Sequence, residues 1–217
     1  MRRRSITVKG IGSVGVKPDL TVITMNLAAT TPDYTKTMER AANDVECLRH
    51  ALISIGYARE ALKTANFNIR MEHENVQDVS GNWKRQFKGY TCTHVLKLEL
   101  DFDMKHLGKT LTAISACGSN PDFQIAFSVK DKAAVSAELL ESAITNAKDK
   151  AAVLAKAAGI QLGAIQRIDY SWGELRLLSE TEYCDASSIL VGGGMDVDIE
   201  PEDIHANDSV AVVWEIE

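Results

Sequence analysis

The stretch Tyr90-Thr91-Cys92-Thr93-His94-Val95-Leu96-Lys97-Leu98-Glu99-Leu100-Asp101-Phe102 decides the fold class. Strict alternation puts Tyr90, Cys92, His94, Leu96, Leu98, Leu100 and Phe102 on one face. Thr91, Thr93, Val95, Lys97, Glu99 and Asp101 take the other, which is the period-2 signature of a strand with one covered side. Upstream, Phe67, Ile69 and Met71 alternate with Asn66, Asn68, Arg70 and Glu72 in the same way. Gly81-Asn82, between the two runs, has the glycine-first chemistry of a two-residue type II′ hairpin. Taken as the central turn residues, they predict Met71 opposite Cys92 and Ile69 opposite His94, so that the two apolar faces coincide. A longer loop around Val79 to Trp83 would shift that register.

Outward from this hairpin the period changes. After Thr31-Pro32-Asp33, the residues Tyr34, Met38, Ala41, Val45, Leu48, Leu52 and Ile55 recur at steps of four and three, predicting a long amphipathic helix closed by Gly56. A second helix is predicted after Asp103, with Leu107, Leu111 and Ile114 on one face and Gly118 beyond its end. A third starts near Asp131 and carries Leu140, Ile144, Ala147, Ala151, Leu154 and Ala158 on one stripe before Gly159. Further strands are expected at Ile6 to Lys9, Ile23 to Ala29, Phe123 to Val129, Ala164 to Tyr170 and Val210 to Ile216.

The predicted order is β-β-α-β-β-α-β-α-β-β. Hairpins interspersed with helices argue for α+β, a mainly antiparallel sheet with helices packed on one face. One domain over residues 1–217 is expected, with residue 103 as the point at which two α/β sub-units would divide. From Leu178 to Asn207 periodicity fails, through Ser187-Ser188, Gly192-Gly193-Gly194 and the acidic run Asp196 to Asp203, so 178–207 is expected to be a flexible loop.

The 217 residues are 45% hydrophobic, 25% charged and 6% aromatic, with no apolar run long enough to span a membrane. A chain of this size buries roughly 70% of its unfolded surface, so it needs no metal or disulfide for stability. Its 24 Lys and Arg against 30 Asp and Glu give a net charge of −6, which repels phosphate backbones and argues against nucleic acid as a partner. The terminal Arg2-Arg3-Arg4 lacks the apolar segment of an export signal, so the chain as it stands is expected in the cytosol, or in the periplasm if such a signal has been removed. Cys47, Cys92, Cys117 and Cys184 have no CxxC spacing, and no disulfide is expected.

Several patterns touch on chemistry. Gly10-Ile11-Gly12-Ser13-Val14-Gly15 matches the dinucleotide fingerprint literally, but Val16-Lys17-Pro18-Asp19 leads into a strand where that motif must open a helix. It reads instead as a glycine-rich bend or bulge between strands. His50, His73, His94, His106 and His205 form no H-E-x-x-H or H-x-x-x-H pair. In the hairpin, Met71, His73, Cys92 and His94 share a face, a soft set that would suit copper, although residues of these types on an apolar face usually serve packing. Asp196, Asp198 and Glu200 have strand spacing, but the order of a calcium loop is absent, and they read as a solvated rim. No nucleophile-elbow, S-x-x-K or P-loop motif occurs, so no catalytic residue and no cofactor is assigned.

The order of these features resembles the SIMPL (YggE-like) family. The resemblance rests on Val8-Lys9-Gly10-Ile11-Gly12 with Val16-Lys17-Pro18-Asp19, on Gly89-Tyr90, on Leu107-Gly108, and on the alanine-rich Ala143 to Gly163. Ile199-Glu200-Pro201 through Val210-Ala211-Val212-Val213 completes it. The resemblance implies an antiparallel α+β fold and no catalytic residues to carry over. It also implies self-assembly, since bacterial relatives tend to associate, are often exported, and are linked to oxidative-stress tolerance or antigenicity. A mammalian relative binds a Pelle-like kinase. This chain departs in lacking an export signal and in having Glu202 where the family often has glycine.

Three functions are therefore expected in order. First comes a homo-oligomeric scaffold or interaction module, with itself or an unknown protein as partner and the segment Gly192 to Asp203 as contact arm. Second is a small-ligand or soft-metal binder using Met71, His73, Cys92 and His94, and third an uncharacterised enzyme.

Overall fold

Asp33, Asp103 and Asp131 open the three helices by accepting first-turn backbone N–H groups, from Lys36 at 2.9 Å, Lys105 at 2.9 Å and Ala134 at 2.8 Å. In the computed structural model these caps start α1 (Tyr34–Ser54), α2 (Met104–Ala116) and α3 (Lys132–Ala158). Gly56, Gly118 and Gly159 follow their ends with positive φ, as the sequence predicts. The strands are β1 (Ser5–Val16), β2 (Leu20–Thr31), β3 (Leu62–Gln77), β4 (Trp83–Asp101), β5 (Asp122–Ser128), β6 (Leu162–Tyr170), β7 (Leu178–Asp185) and β8 (Ile204–Ile216). The structure describes residues 4–77, 81–170, 175–185 and 199–217. The class is α+β as expected, and every register resolved among the described strands is antiparallel.

The chain forms two compact units that interleave in sequence: Met1–Asp19, Ser128–Glu180 and Pro201–Glu217 make the first, Leu20–Phe127 and Thr181–Glu200 the second. Residue 103 lies inside the second unit, as the N-cap of α2.

The first unit has a three-stranded sheet, β1-β8-β6. Strand β1 runs without interruption from Ser5 opposite Glu215 to Val16 opposite Ile204. The glycine-rich segment is thus neither bend nor bulge; it continues the strand. A Cβ on Gly10 would lie 2.0 Å from the Ala143 carbonyl oxygen, and one on Gly12 would lie 2.1 Å from that of Leu139. The glycines let α3 lie directly against the strand. This close approach also corrects the predicted helix stripe. The buried residues are Val135, Leu139, Ala143, Ala147, Ala151 and Ala155, while Leu140 and Ile144 are only partly buried and Leu154 is exposed. Small residues are buried because two backbones meet there, and large ones are displaced to the flanks. Asn146 Oδ1 accepts the Ile11 N–H at 3.0 Å, and Lys150 Nζ donates to the Lys9 carbonyl at 3.4 Å, so the helix satisfies the outer edge of β1.

The second unit is built on a five-stranded sheet in the order β3-β4-β2-β5-β7, of which β7 begins in the first unit. Ile23, Met25 and Leu27 of β2, Leu96, Leu98 and Leu100 of β4, and Ile125 and Phe127 of β5 form one buried core. It closes with Val45, Leu48 and Leu52 of α1 and Leu107, Leu111 and Ile114 of α2. Each such side chain stabilises the fold by about 1.5–3 kcal/mol through burial.

Two expectations change here. The loop expected over 178–207 contains strand β7 at its start, and β8 begins at Ile204 inside its end. The hairpin register also shifts: Met71 faces Tyr90, Ile69 faces Cys92 and Phe67 faces His94. Irregularities between Thr64 and Asn66, and between Glu72 and His73, insert one extra residue on β3 and one on β4 respectively. The pairing already differs beside the turn, where Gln77 faces Trp83 and a two-residue Gly81-Asn82 turn would set it opposite Gln86, so the connection is the longer loop; the extra residue on β4 then restores the odd–even pairing that joins the two apolar faces.

Candidate functional site

Among the described residues, the β3–β4 hairpin outruns everything that supports it. Strand β2 pairs with β4 only from Asp101 back to Tyr90, where it ends at Thr31. Helix α1 cannot extend the cover, because Pro32 and the Asp33 cap fix its start. The buried Thr37 hydroxyl donates to the Asp33 carbonyl at 2.9 Å and lies 3.3 Å from that of Tyr90, which ties the helix start to β4. Helix cover reaches Ile69 and Cys92, which pack with Met38, Ala41 and Ala29, and ends near the edge-to-face contact of Tyr34 and Tyr90 at 5.5 Å. Beyond this point Glu72–Gln77 and Trp83–Gly89 form a two-stranded ribbon, and β3 pairs with no strand but β4 among the described residues.

The ribbon is amphipathic. One face carries Phe67, Ile69, Met71 and His73 opposite His94, Cys92, Tyr90 and Phe87, with Arg85 and Trp83 continuing it. Phe67 meets His94 at 5.2 Å, His73 meets Phe87 at 6.0 Å and Phe87 meets Tyr90 at 5.3 Å, an almost continuous aromatic row. The other face carries Asn66, Asn68, Arg70, Glu72 and Glu74, with Arg70 and Glu72 paired at 2.7 Å. The apolar face is open: Phe67 is 47% exposed, Met71 62%, Phe87 43% and Trp83 70%. An alternating strand was expected to mean a covered face. Over β3 beyond Ile69 it means an apolar face that the described residues leave uncovered.

Met71, His73, Cys92 and His94 do share that face, but in a file. His73 and His94 sit at the pairs headed by residues 73 and 67, about 20 Å apart at the strand rise. Cys92 is fully buried and its thiol is raised by burial. His94 Nε2 shares a 2.9 Å hydrogen bond with Thr64 Oγ1, and burial, then the nearby Arg49, lowers its pKa. Among the described residues, no three of His, Cys, Asp and Glu gather as metal ligands. His50 is exposed on α1, His106 packs on Tyr57, and His205 lies in β8. Of the acidic run, Asp196 and Asp198 lie outside the described residues, as does most of the contact arm Gly192 to Asp203, while Glu200 is exposed coil. A shallow pocket of about 400 Å³ is lined by Ala61, Lys63, Thr64, Ala65, Lys97 and Glu99, with Lys97 paired to Glu99 at 2.7 Å.

The model of the family described as SIMPL, protein of unknown function (DUF541), matches residues 6–214. The chain belongs to the SIMPL family. No curated protein matches it. In this SIMPL protein, Gly10 and Gly12 allow strand–helix contact, and Asp19 accepts the Lys130 N–H at 2.8 Å. Gly89-Tyr90 marks where β2 stops and the ribbon begins. No helix among the described residues is long and apolar enough to cross a membrane. Sequence reading missed the ribbon as a site, although Trp83 and Phe87, two large aromatics beside a predicted turn, were a signal that could have found it.

Proposed function

We propose that this SIMPL protein is a non-enzymatic interaction module that assembles with copies of itself, and that the distal β3–β4 ribbon is the contact surface. One observation carries the reading: a two-stranded ribbon with an aromatic and thioether face open to solvent. Such ribbons are marginal alone in water and gain stability from a third strand or a covering surface. Contiguous apolar surface of this kind marks sites of association. The free edge of β3 is self-complementary. Antiparallel pairing with a second copy about Met71 sets Arg70 opposite Glu72 of that copy, and the reverse, while continuing the apolar face across both chains.

Absolute mass by light scattering after size exclusion tests this on the full chain. A defined multimer of the 23.7 kDa chain is expected, falling to a smaller species when Met71, Trp83 and Phe87 are replaced by serine. A monomer at all concentrations, or an unchanged mass in the triple variant, overturns it. A link to stress responses would be a role for such an assembly, drawn from the family resemblance alone. Small-ligand or soft-metal binding stands behind this reading, since Met71, His73, Cys92 and His94 are spread along the strands. Catalysis stands third.

A further inference from the structure

Cys47 and Cys117 face each other from two helices of the second unit. Cys47 lies midway along α1, and Cys117 is the C-cap of α2. The Cys47 thiol donates to the Cys117 carbonyl oxygen across a separation of 70 residues, which brings the two cysteines side by side. Cys117 Sγ is held in place by the Ile114 carbonyl at 3.0 Å and by Ser119 Oγ at 2.9 Å. Both cysteines are partly exposed, whereas Cys92 is buried. Gly118, with φ of 76°, follows directly, so the backbone carrying Cys117 sits at a turn able to adjust to disulfide geometry.

We propose that Cys47 and Cys117 are a modification site, forming a reversible intramolecular disulfide when the chain meets a disulfide oxidant such as oxidised glutathione. One thiolate attacks a sulfur of oxidised glutathione, forming a mixed disulfide and releasing glutathione thiolate. The second protein thiolate attacks the mixed disulfide at the protein sulfur and releases the other glutathione thiolate. The two protons from the cysteines end on the two glutathione molecules, so two protein thiols are oxidised and one disulfide is reduced. The bridge ties α1 to the end of α2. Burial and the adjacent Cys117 raise the Cys47 thiol, so the exchange accelerates as pH rises. The inference is independent of the ribbon, which lies on other residues.

The test incubates the full native chain in glutathione buffers of graded oxidation, traps free thiols by alkylation and maps the peptides by mass. A Cys47–Cys117 linked peptide that disappears with dithiothreitol is expected, while Cys92 reacts only after denaturation. Cys47→Ser and Cys117→Ser should each leave a mixed glutathione disulfide on the remaining partner. The midpoint of thermal unfolding should rise on oxidation of the native chain and not of the Cys117→Ser variant. No linked peptide at any ratio, a bridge to Cys92 or Cys184, or a bridge between chains overturns the proposal.

Discussion

Replacing Gly12 by alanine introduces one methyl group where β1 lies against α3. The new Cβ would stand 2.1 Å from the Leu139 carbonyl oxygen and 2.8 Å from the Ala143 nitrogen. A carbon–oxygen contact settles at about 3.3 Å, so relief needs a backbone shift of roughly 1.2 Å. The obstructing atoms are main chain, and no rotamer change can absorb the clash. Helix α3 moves as a rigid body of 27 residues, so its displacement would also withdraw Ala143 and Ala147 from Gly10 and open a gap there. The expected loss is about 3 kcal/mol, the upper end for overpacking a core. Gly15→Ala is the matched control. Its Cβ would meet only the His205 ring at 3.4 Å, and the smaller unfolded-state entropy should leave it neutral or more stable by up to about 1 kcal/mol. Urea unfolding followed by circular dichroism reads both. Adding Ala143→Gly to Gly12→Ala should recover little, because the nearest obstacle belongs to Leu139. A Gly12→Ala chain as stable as the Gly15→Ala chain would refute the reasoning, and full recovery in the double variant would show that side chains, not backbones, set the spacing.

Asp131→Ala removes the N-cap of α3 and should lower stability by about 1 kcal/mol, with Asp131→Asn close to neutral, as read from urea midpoints. Leu98→Ala, at a fully buried position in the second unit, should cost about 2–5 kcal/mol, and a loss under that range would mean that the core collapses around the site. Because burial and Arg49 hold His94 below the ordinary histidine pKa of about 6.5, the unfolded chain takes up a proton that the native chain refuses in the window between those values. Stability present above that window is therefore lost as pH falls through it. His94→Gln, which can still bond Thr64, should flatten the slope of unfolding free energy as pH falls below the ordinary histidine value of about 6.5, and equal slopes in the two chains would count against this.

The helices were readable because their signals are local. Asp33, Asp103 and Asp131 cap through atoms two or three residues away, and the terminating glycines act on the next peptide. The face of the 90–102 strand was equally plain, since Leu96, Leu98 and Leu100 are all buried. The α3 stripe was misjudged for a reason far off in sequence: Gly10 and Gly12, more than 120 residues upstream, decide that alanine and not Leu154 is buried. Strand β7 was missed because Leu178-Ser179-Glu180-Thr181-Glu182-Tyr183-Cys184-Asp185 has little apolar alternation and takes its place in the sheet from tertiary pairing. The open ribbon was hidden by a rule that usually serves, since an apolar face records burial without saying which chain provides it. The facing thiols of Cys47 and Cys117 lacked any sequence signature, being brought together only by the packing of α1 and α2.

The pairing of β1 with β8 has a consequence for the chain during synthesis. Ser5 waits for Glu215, and at ribosomal speeds of about 5–20 residues per second the delay is roughly 10–40 seconds. Throughout that interval the second unit can gather its long continuous segment, while β1 lacks its neighbouring strand and, until α3 is complete at Ala158, the helix that will cover its edge. The Ile216 N–H meets the Arg4 carbonyl at 3.1 Å, so the ends of the described chain lie side by side. A circular permutant joined there and opened between Asp19 and Leu20 would deliver β8 and β1 in succession, shortening the wait to little more than the joining loop. Faster folding of that permutant, with unchanged stability, would identify late closure of the first unit as the slow step in the birth of this protein.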